Sequence, residues 1–217
     1  MSTPNRGYLV VKRVFDFVLS LIAVIMLFPI GVILAIVSAI DTKATPFFVQ
    51  TRIGKDGKEF RCMKYRTMSK SAPSNVATCD LEATLYITPV GSFLRKTSLD
   101  EQPQLINILR GDMSIVGPRP IIPQEAELIH LRKLHGAEAV RPGLTGWAQI
   151  NGRDNLKAPA KAVMDGYYAR HVSLKMDLDI LFRTVAYVVS SEDVVEGHTD
   201  TNHKSSAQFI LNTRPYP

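Results

Sequence analysis

Two adjacent carboxylates, Asp100 and Glu101, precede by about twenty residues an arginine set between prolines, Gly117-Pro118-Arg119-Pro120. Ser98 just before the acid pair marks a helix start. A carboxylate there feels unpaired backbone N–H groups and the positive end of the helix dipole, and both favour its ionised form. An ionised, fixed carboxylate can attack phosphorus and carry a phosphoryl group as a covalent intermediate. Its neighbour can hold Mg²⁺, which clamps diphosphate oxygens and neutralises charge on a leaving group. The competing reading is structural. Ser98-x-x-Glu101 is a capping-box pattern, in which the hydroxyl caps the first turn and the glutamate reaches back. Capping accounts for Ser98 and Glu101 but leaves Asp100 without a task, and the residues alone leave both readings open.

Five cations stand in turn or strand-end settings: Lys64, Arg66, Arg95, Arg119 and Arg153. Each by itself reads as a surface or structural charge. Beside a metal-binding acid pair they form a diphosphate cradle, in which arginine offers bidentate contacts. His130, His135, His171, His198 and His203 have no zinc-type spacing, and Cys62 and Cys79 have neither metal-ligand spacing nor a disulfide pattern, so they read as reduced thiols. Neither a Gly-rich P-loop nor a G-x-G-x-x-G is present.

The elements that must position these groups begin with an apolar run. Residues 17–40 contain 24 residues and no charge, where about 20 suffice to cross a bilayer. That length exceeds the roughly 7–15 residues of a signal-peptide core. Pro29 sits mid-run and removes a backbone hydrogen bond, so the helix is expected to kink. Basic residues flank both ends, which removes the charge asymmetry that orients a spanning helix. Asp16 and Asp41 also bracket the run. Hydropathy alone permits spanning; the flanks favour a re-entrant helix–break–helix turning at Pro29.

Lys+Arg number 26 against 20 Asp+Glu, a net charge of +6. Much of the excess lies in residues 41–75, with eight basic side chains against three acidic ones. That position suits anionic headgroups or a nucleotide diphosphate. Few aromatics interleave with the basic block and no nucleic-acid motif appears, so nucleic acid is not an expected partner.

Past the membrane run, residues 47–52 and 58–65 read as two strands joined by Gly54-Lys55-Asp56-Gly57. Residues 71–84 are polar, include Pro73 and read as an exposed loop. A helix is expected from Ser98 with Leu105, Ile108 and Leu109 on its apolar face, and a second over 124–134. Arg141-Pro142-Gly143 enters a strand, and Asn151-Gly152-Arg153 is a turn. Leu174, Leu178, Leu181, Val185 and Val188 fall at helical spacing, as a core stripe or a face lying flat on a membrane interface. The pattern is α+β: an N-terminal segment with its membrane helix at 1–41, a small catalytic domain with amphipathic interfacial helices at 42–191, and a tail at 192–217.

Six motifs in this order carry a family resemblance: Lys12-Arg13-x-x-Asp16, Lys64-Tyr65-Arg66-Thr67-Met68, Arg95 to Glu101, Gly111-Asp112-Met113-Ser114, Gly117-Pro118-Arg119-Pro120, and Arg141 to Gln149. From about residue 11 to 190 the chain resembles the bacterial sugar transferases, the monotopic phosphoglycosyl transferases. The resemblance implies transfer of a sugar 1-phosphate from a UDP-sugar to undecaprenyl phosphate, with release of UMP, as the first membrane step of glycoconjugate or exopolysaccharide synthesis. It also implies Mg²⁺, a re-entrant helix broken at proline, and a bacterial inner-membrane enzyme whose catalytic domain faces the cytoplasm. Carried over by position, Asp100 is the nucleophile and Glu101 the Mg²⁺ ligand, while Arg95, Arg119 and Arg153 contact phosphate or nucleotide. The family's proline usually follows a serine; here Phe28 precedes it, so the break lacks a hydroxyl that could bond a freed carbonyl. Larger members add N-terminal transmembrane helices, and this chain looks like the minimal form. The rival readings are a non-enzymatic basic adaptor tethered to the membrane and a polytopic transferase without a covalent intermediate. The sugar stays unnamed, and monomer or homodimer is left open.

Overall fold

The uncharged run folds within one long helix, α1 (Arg6–Thr42). In this computed structural model residues 6–72, 85–152 and 156–190 are described. The predicted break at Pro29 is not a break in secondary structure: α1 is helical on both sides of it and through it. Pro29 removes one helical hydrogen bond and crowds the carbonyl four residues back, but it lies on the exposed side, away from the domain, and the helix continues through it.

α1 is built inside out relative to a helix of a water-soluble protein. Its polar side chains are the buried ones: Lys12, Asp16, Ser20, Ser38 and Thr42, all at helical spacing along one stripe. Its large apolar side chains point outward, with Ile25 65 %, Met26 73 % and Ile40 72 % exposed. A continuous apolar face of this size is stable against lipid, not water.

The domain covers the polar stripe. Strands β1 (Phe47–Ile53) and β2 (Glu59–Tyr65) pair antiparallel as the sequence predicts. Asp56 and Gly57 take the left-handed conformation that the tight connection requires. α2 (Pro89–Lys96), unforeseen in the sequence, starts at Thr88, whose Oγ1 accepts the Gly91 N–H. A 3-10 turn (Leu99–Glu101) leads into α3 (Gln104–Arg110). β3 (Ser114–Val116) lies parallel to β4 (Gly143–Thr145), and a Cβ on Gly117 or Gly143 would drive into the facing backbone. α4 (Ala126–His135), α5 (Trp147–Ile150), α6 (Ala158–His171) and α7 (Leu174–Ser190) complete the α+β domain. The main core gathers Val116, Val140, Tyr168, Val172 and Ile180, with Tyr8 and Leu9 of α1 packed against it. The C-terminal stripe divides: Leu174, Leu178 and Val185 are exposed, together with Phe182 at 74 %, whereas Leu181 packs against the main core and the Val188 side chain lies outside the described ones.

One buried charge cluster joins α1 to this core. The Lys12 ammonium lies 2.8 Å from Asp177 on α7 and 3.5 Å from Asp16. Tyr8 and Tyr168 each donate a hydroxyl to Asp177 at 2.7 Å. Asp16 accepts from the Ser114 hydroxyl at 2.6 Å and from the Ile115 N–H at 3.2 Å. Removing one partner of such a pair strands the other charge in a low dielectric. Asp177→Ala is therefore expected to destabilise the protein by about 3 kcal/mol, read by equilibrium unfolding in detergent micelles. A loss below half that size would show the cluster to be solvated.

Candidate active site

Three chain segments bring the site together: β2, the 3-10 turn, and the proline-flanked turn after β3. Lys64, on the second strand, is 2.5 Å from Glu101 Oε1 and 3.8 Å from Asp100 Oδ2. Arg119 reaches the same Glu101 oxygen at 3.5 Å. Its turn is braced from behind, since Arg132 donates to the Arg119 carbonyl and Arg52 to that of Pro120. Arg132 is in turn fixed by a 2.6 Å ion pair with the buried Asp165. Asn107 of α3, fully buried, donates to the Arg61 carbonyl and accepts from the Met63 N–H, which locks α3 and its preceding turn to β2.

The capping box predicted at Ser98 does not form. Ser98 adopts left-handed backbone (φ 56°) with no side-chain cap bond, and the α-helix begins only after Pro103. The Glu101 carboxylate has a stronger partner in Lys64 than a backbone N–H, because both partners are charged. Asp100 and Glu101 thus sit in a short turn ahead of α3, not at the first turn of a helix.

Their charges are set apart. Burial pushes the Asp100 carboxyl above the usual range; Lys64, Arg95 and Arg119 pull it down, and Glu101 pushes it up. Asp100 lies ahead of the helix and not at its dipole end, and burial, the largest influence on its carboxyl, acts opposite to the expected one. Burial acts in the same upward sense on Glu101, yet Lys64 and Arg119, together with the Lys64 hydrogen bond, outweigh it and bring that carboxyl down to about 2. One carboxylate is a permanent anion; the other is a desolvated and more basic one.

Of the five predicted cations, Lys64 and Arg119 meet the acid pair. Arg95 bonds the Thr67 hydroxyl through Nε at 2.8 Å and contributes to the field at Asp100. Arg66 does not join them: it turns to the Thr45 carbonyl and hydroxyl and stacks over Phe48. Arg153 lies outside the described residues. Arg52 was not singled out in the sequence; its charge acts on both Arg119 and Glu101, and burial lowers its own pKa. A strand-interior arginine beside a hairpin turn gave no signal of that role.

Among the described residues no three metal-ligating side chains cluster. Mg²⁺ does not need three, since it is commonly held by one or two carboxylates and substrate phosphates. Glu101 with Asp100 fits such an ion only when a diphosphate completes its shell.

A pair of carboxylates of unequal basicity, gripped by lysine and arginine beside a helix with an exposed apolar face, is suited to chemistry on a phosphorylated group at a membrane. Residues 7–191 match the bacterial sugar transferase family, and the chain belongs to it. It is a phosphoglycosyl transferase, as its six motifs imply. It is 38 % identical over 201 residues to the exopolysaccharide production protein ExoY of Sinorhizobium fredii, covering 83 % of this chain and 86 % of that one. EpsL of Bacillus subtilis, an uncharacterized sugar transferase, is 39 % identical over 206 residues, 93 % of this chain and 96 % of EpsL. The UDP-glucose:undecaprenyl-phosphate glucose-1-phosphate transferase of Escherichia coli is 40 % identical over 194 residues; these are 85 % of this chain but 41 % of that longer protein.

The unequal carboxylates generate opposite stability effects. Asp100 has a folded pKa above its unfolded value, so its ionised form is the one the fold disfavours. Asp100→Asn should then raise the unfolding midpoint at pH 7. Glu101 has a folded pKa near 2, so its stabilisation is full above its unfolded pKa of about 4.3 and is lost as pH falls through 2. Glu101→Gln should lower the midpoint at pH 7 and flatten its acid limb. Urea unfolding in micelles between pH 7 and 3 reads both, and shifts of the same sign in the two variants would refute the assignment.

Proposed function

We propose that the chain transfers a sugar 1-phosphate from a UDP-sugar to undecaprenyl phosphate through a covalent intermediate on Asp100. The observation that carries this is Asp100 itself: a buried carboxylate (7 % exposed), more basic than usual, with a lysine 3.8 Å away and a permanent anion next to it. In the first step an Asp100 oxygen attacks the sugar-linked phosphorus. The bond from that phosphorus to the bridging oxygen breaks, and UMP leaves with the electron pair. In the second step an oxygen of undecaprenyl phosphate attacks the same phosphorus, the Asp100 carboxylate departs, and a polyprenyl-diphosphate sugar is formed. Lys64 and Arg119 orient and neutralise the diphosphate, and Arg95 adds charge from the α2 side. Mg²⁺ held by Glu101 would supply further charge neutralisation on the diphosphate. The relatives named for UDP-sugar and undecaprenyl phosphate chemistry support the same pair of substrates.

The proposal includes a re-entrant α1, with both ends on the cytoplasmic side of the inner membrane, where UDP-sugars are made. What supports it is the distribution of bonds from α1 to the domain. Tyr8, Lys12, Arg13 and Asp16 bond it near one end, Leu27 and Gly31 at the middle, and Ser38 near the other. Among the described residues the longest stretch between such bonds is 17–26, about 15 Å of helix against a core of about 30 Å. A domain confined to one side of a bilayer cannot hold a spanning helix at both ends. The exposed stripe of α7, from Leu174 to Val185, suits the headgroup boundary.

Asp100→Asn should keep the fold and lower turnover by several orders of magnitude. Wild-type protein given UDP-sugar alone should gain the mass of one sugar phosphate on Asp100, with ping-pong kinetics. Near-normal turnover of purified Asp100→Asn, or strictly sequential kinetics without a trapped adduct, would rule the covalent route out. For topology, a single cysteine replacing Gly7 should stay unlabelled by a membrane-impermeant maleimide in intact cells and react after lysis. Labelling from outside would show that α1 spans.

A further inference from the structure

The middle of α1 is held by two side chains that the reaction itself does not use. Gln102 Nε2 donates to the Leu27 carbonyl at 3.1 Å. The Tyr65 hydroxyl lies 3.0 Å from the Gly31 carbonyl and 3.2 Å from Gln102 Oε1. Its single proton serves one of these at a time, and the Leu27 carbonyl, an acceptor only, fixes the amide orientation. Leu27 and Gly31 are one turn apart and straddle Pro29. Gly31 eases the approach: a Cβ there would stand 3.1 Å from both Gln102 Nε2 and Tyr65 Oη, a tight contact that those side chains would have to yield to.

Each of the two residues is covalently next to a group of the site. Tyr65 follows Lys64 on β2, where alternate side chains point to opposite faces, so the strand offers its lysine to Glu101 and its tyrosine to α1. Gln102 follows Glu101 and precedes Pro103, whose ring fixes the backbone. Pro29 leaves the Ile25 carbonyl without its helical donor and weakens the turn around it. The turn of α1 that lacks a helical hydrogen bond is thus tied to the residues adjoining Lys64 and Glu101.

We propose that Gln102 and Tyr65 are positioning residues that act as one clamp, registering the Pro29 turn of α1 against the carboxylates so that a lipid phosphate arriving along α1 meets Asp100. The catalytic part of this inference rests on the proposed function; the structural part stands alone. It separates the two half-reactions, because a soluble UDP-sugar reaches Asp100 whatever the register of α1, whereas the lipid acceptor does not.

The test uses the full chain in nanodiscs, with Gln102→Met (same length, no donor), Tyr65→Phe (which keeps the stack on Phe47) and the double variant. Nitroxides on cysteines replacing the exposed Met26 and Lys96, in a Cys79→Ser background, report α1 against α2. Wild type should give one narrow distance distribution, and each single variant a broader one. The double variant should be no broader than the singles. With UDP-glucose, UDP-galactose and UDP-N-acetylgalactosamine as donors, kcat/KM for undecaprenyl phosphate should fall about tenfold in each single variant and about tenfold, not a hundredfold, in the double. UMP released in the burst without acceptor should stay within about twofold of wild type. Unchanged distances in both single variants overturn the clamp, as do additive losses or a burst reduced as much as the acceptor step. A wild type that releases no UMP from any donor sinks the proposed function instead, while the distance measurement still decides the clamp.

Discussion

The structure depends on one lysine ammonium taken out of water. Lys12 is 8 % exposed and lies between Asp16, on its own helix, and Asp177 on α7. Attraction between buried charges seldom outweighs their desolvation unless the remaining lone pairs are satisfied. Here they are, by two tyrosine hydroxyls, a serine hydroxyl and a backbone N–H. The geometry fixes α1 about its own axis. Once Lys12 and Asp16 face the domain, the 3.6-residue period brings Ser20, Leu27, Gly31, Ser38 and Thr42 to the same side and turns the apolar side chains to lipid. Where α1 meets the carboxylate-bearing turn follows from that rotation.

The site repeats the device with a different outcome. Lys64 approaches two carboxylates unequally, at 2.5 Å and 3.8 Å. Were it equidistant, both would be acidified alike and neither would be basic. The asymmetry separates the pair: Glu101 is held by Lys64 and Arg119, and Asp100, buried and farther from the lysine, is the more basic of the two. Arg119 strengthens the split, because its guanidinium meets the same Glu101 oxygen and is braced through the carbonyls of its own turn. Opposite pKa directions on adjacent residues are a sign of divided catalytic roles.

The acid pair, the proline-flanked arginine, the hairpin and the apolar helix were legible because each rests on local chemistry: a dipeptide, a rigid turn, a left-handed connection, a long uncharged run. What escaped had rivals at longer range. Ser98-x-x-Glu101 spells a capping box, but the spelling does not show that Lys64 is waiting for the glutamate. α6 was missed because its buried residues are mostly small (Ala160, Ala162, Gly166, Ala169) and mix Asp165 with Met164 and Tyr168, which gives little periodic contrast in hydrophobicity. α2 is short and half polar, although Thr88-Pro89 carried its start. Arg66 shares a motif with Lys64 but, two residues on, is drawn to the Thr45 carbonyl in the connection between α1 and β1. Tyr8 and Asp177, 169 residues apart, could not be paired from one sequence.

That separation bears on how the molecule comes to be made. α1 precedes the domain in the chain, so its apolar face can enter lipid while the partner of Lys12 is still unsynthesised. Until α7 docks, a cation, a carboxylate and several hydroxyls on the polar stripe must be hydrated at the membrane surface. Closing a loop of this length is entropically unfavourable before its contacts form. Docking of α7 is therefore what expels water from around Lys12, and the rotation of α1 is secured by a residue near the far end of the chain.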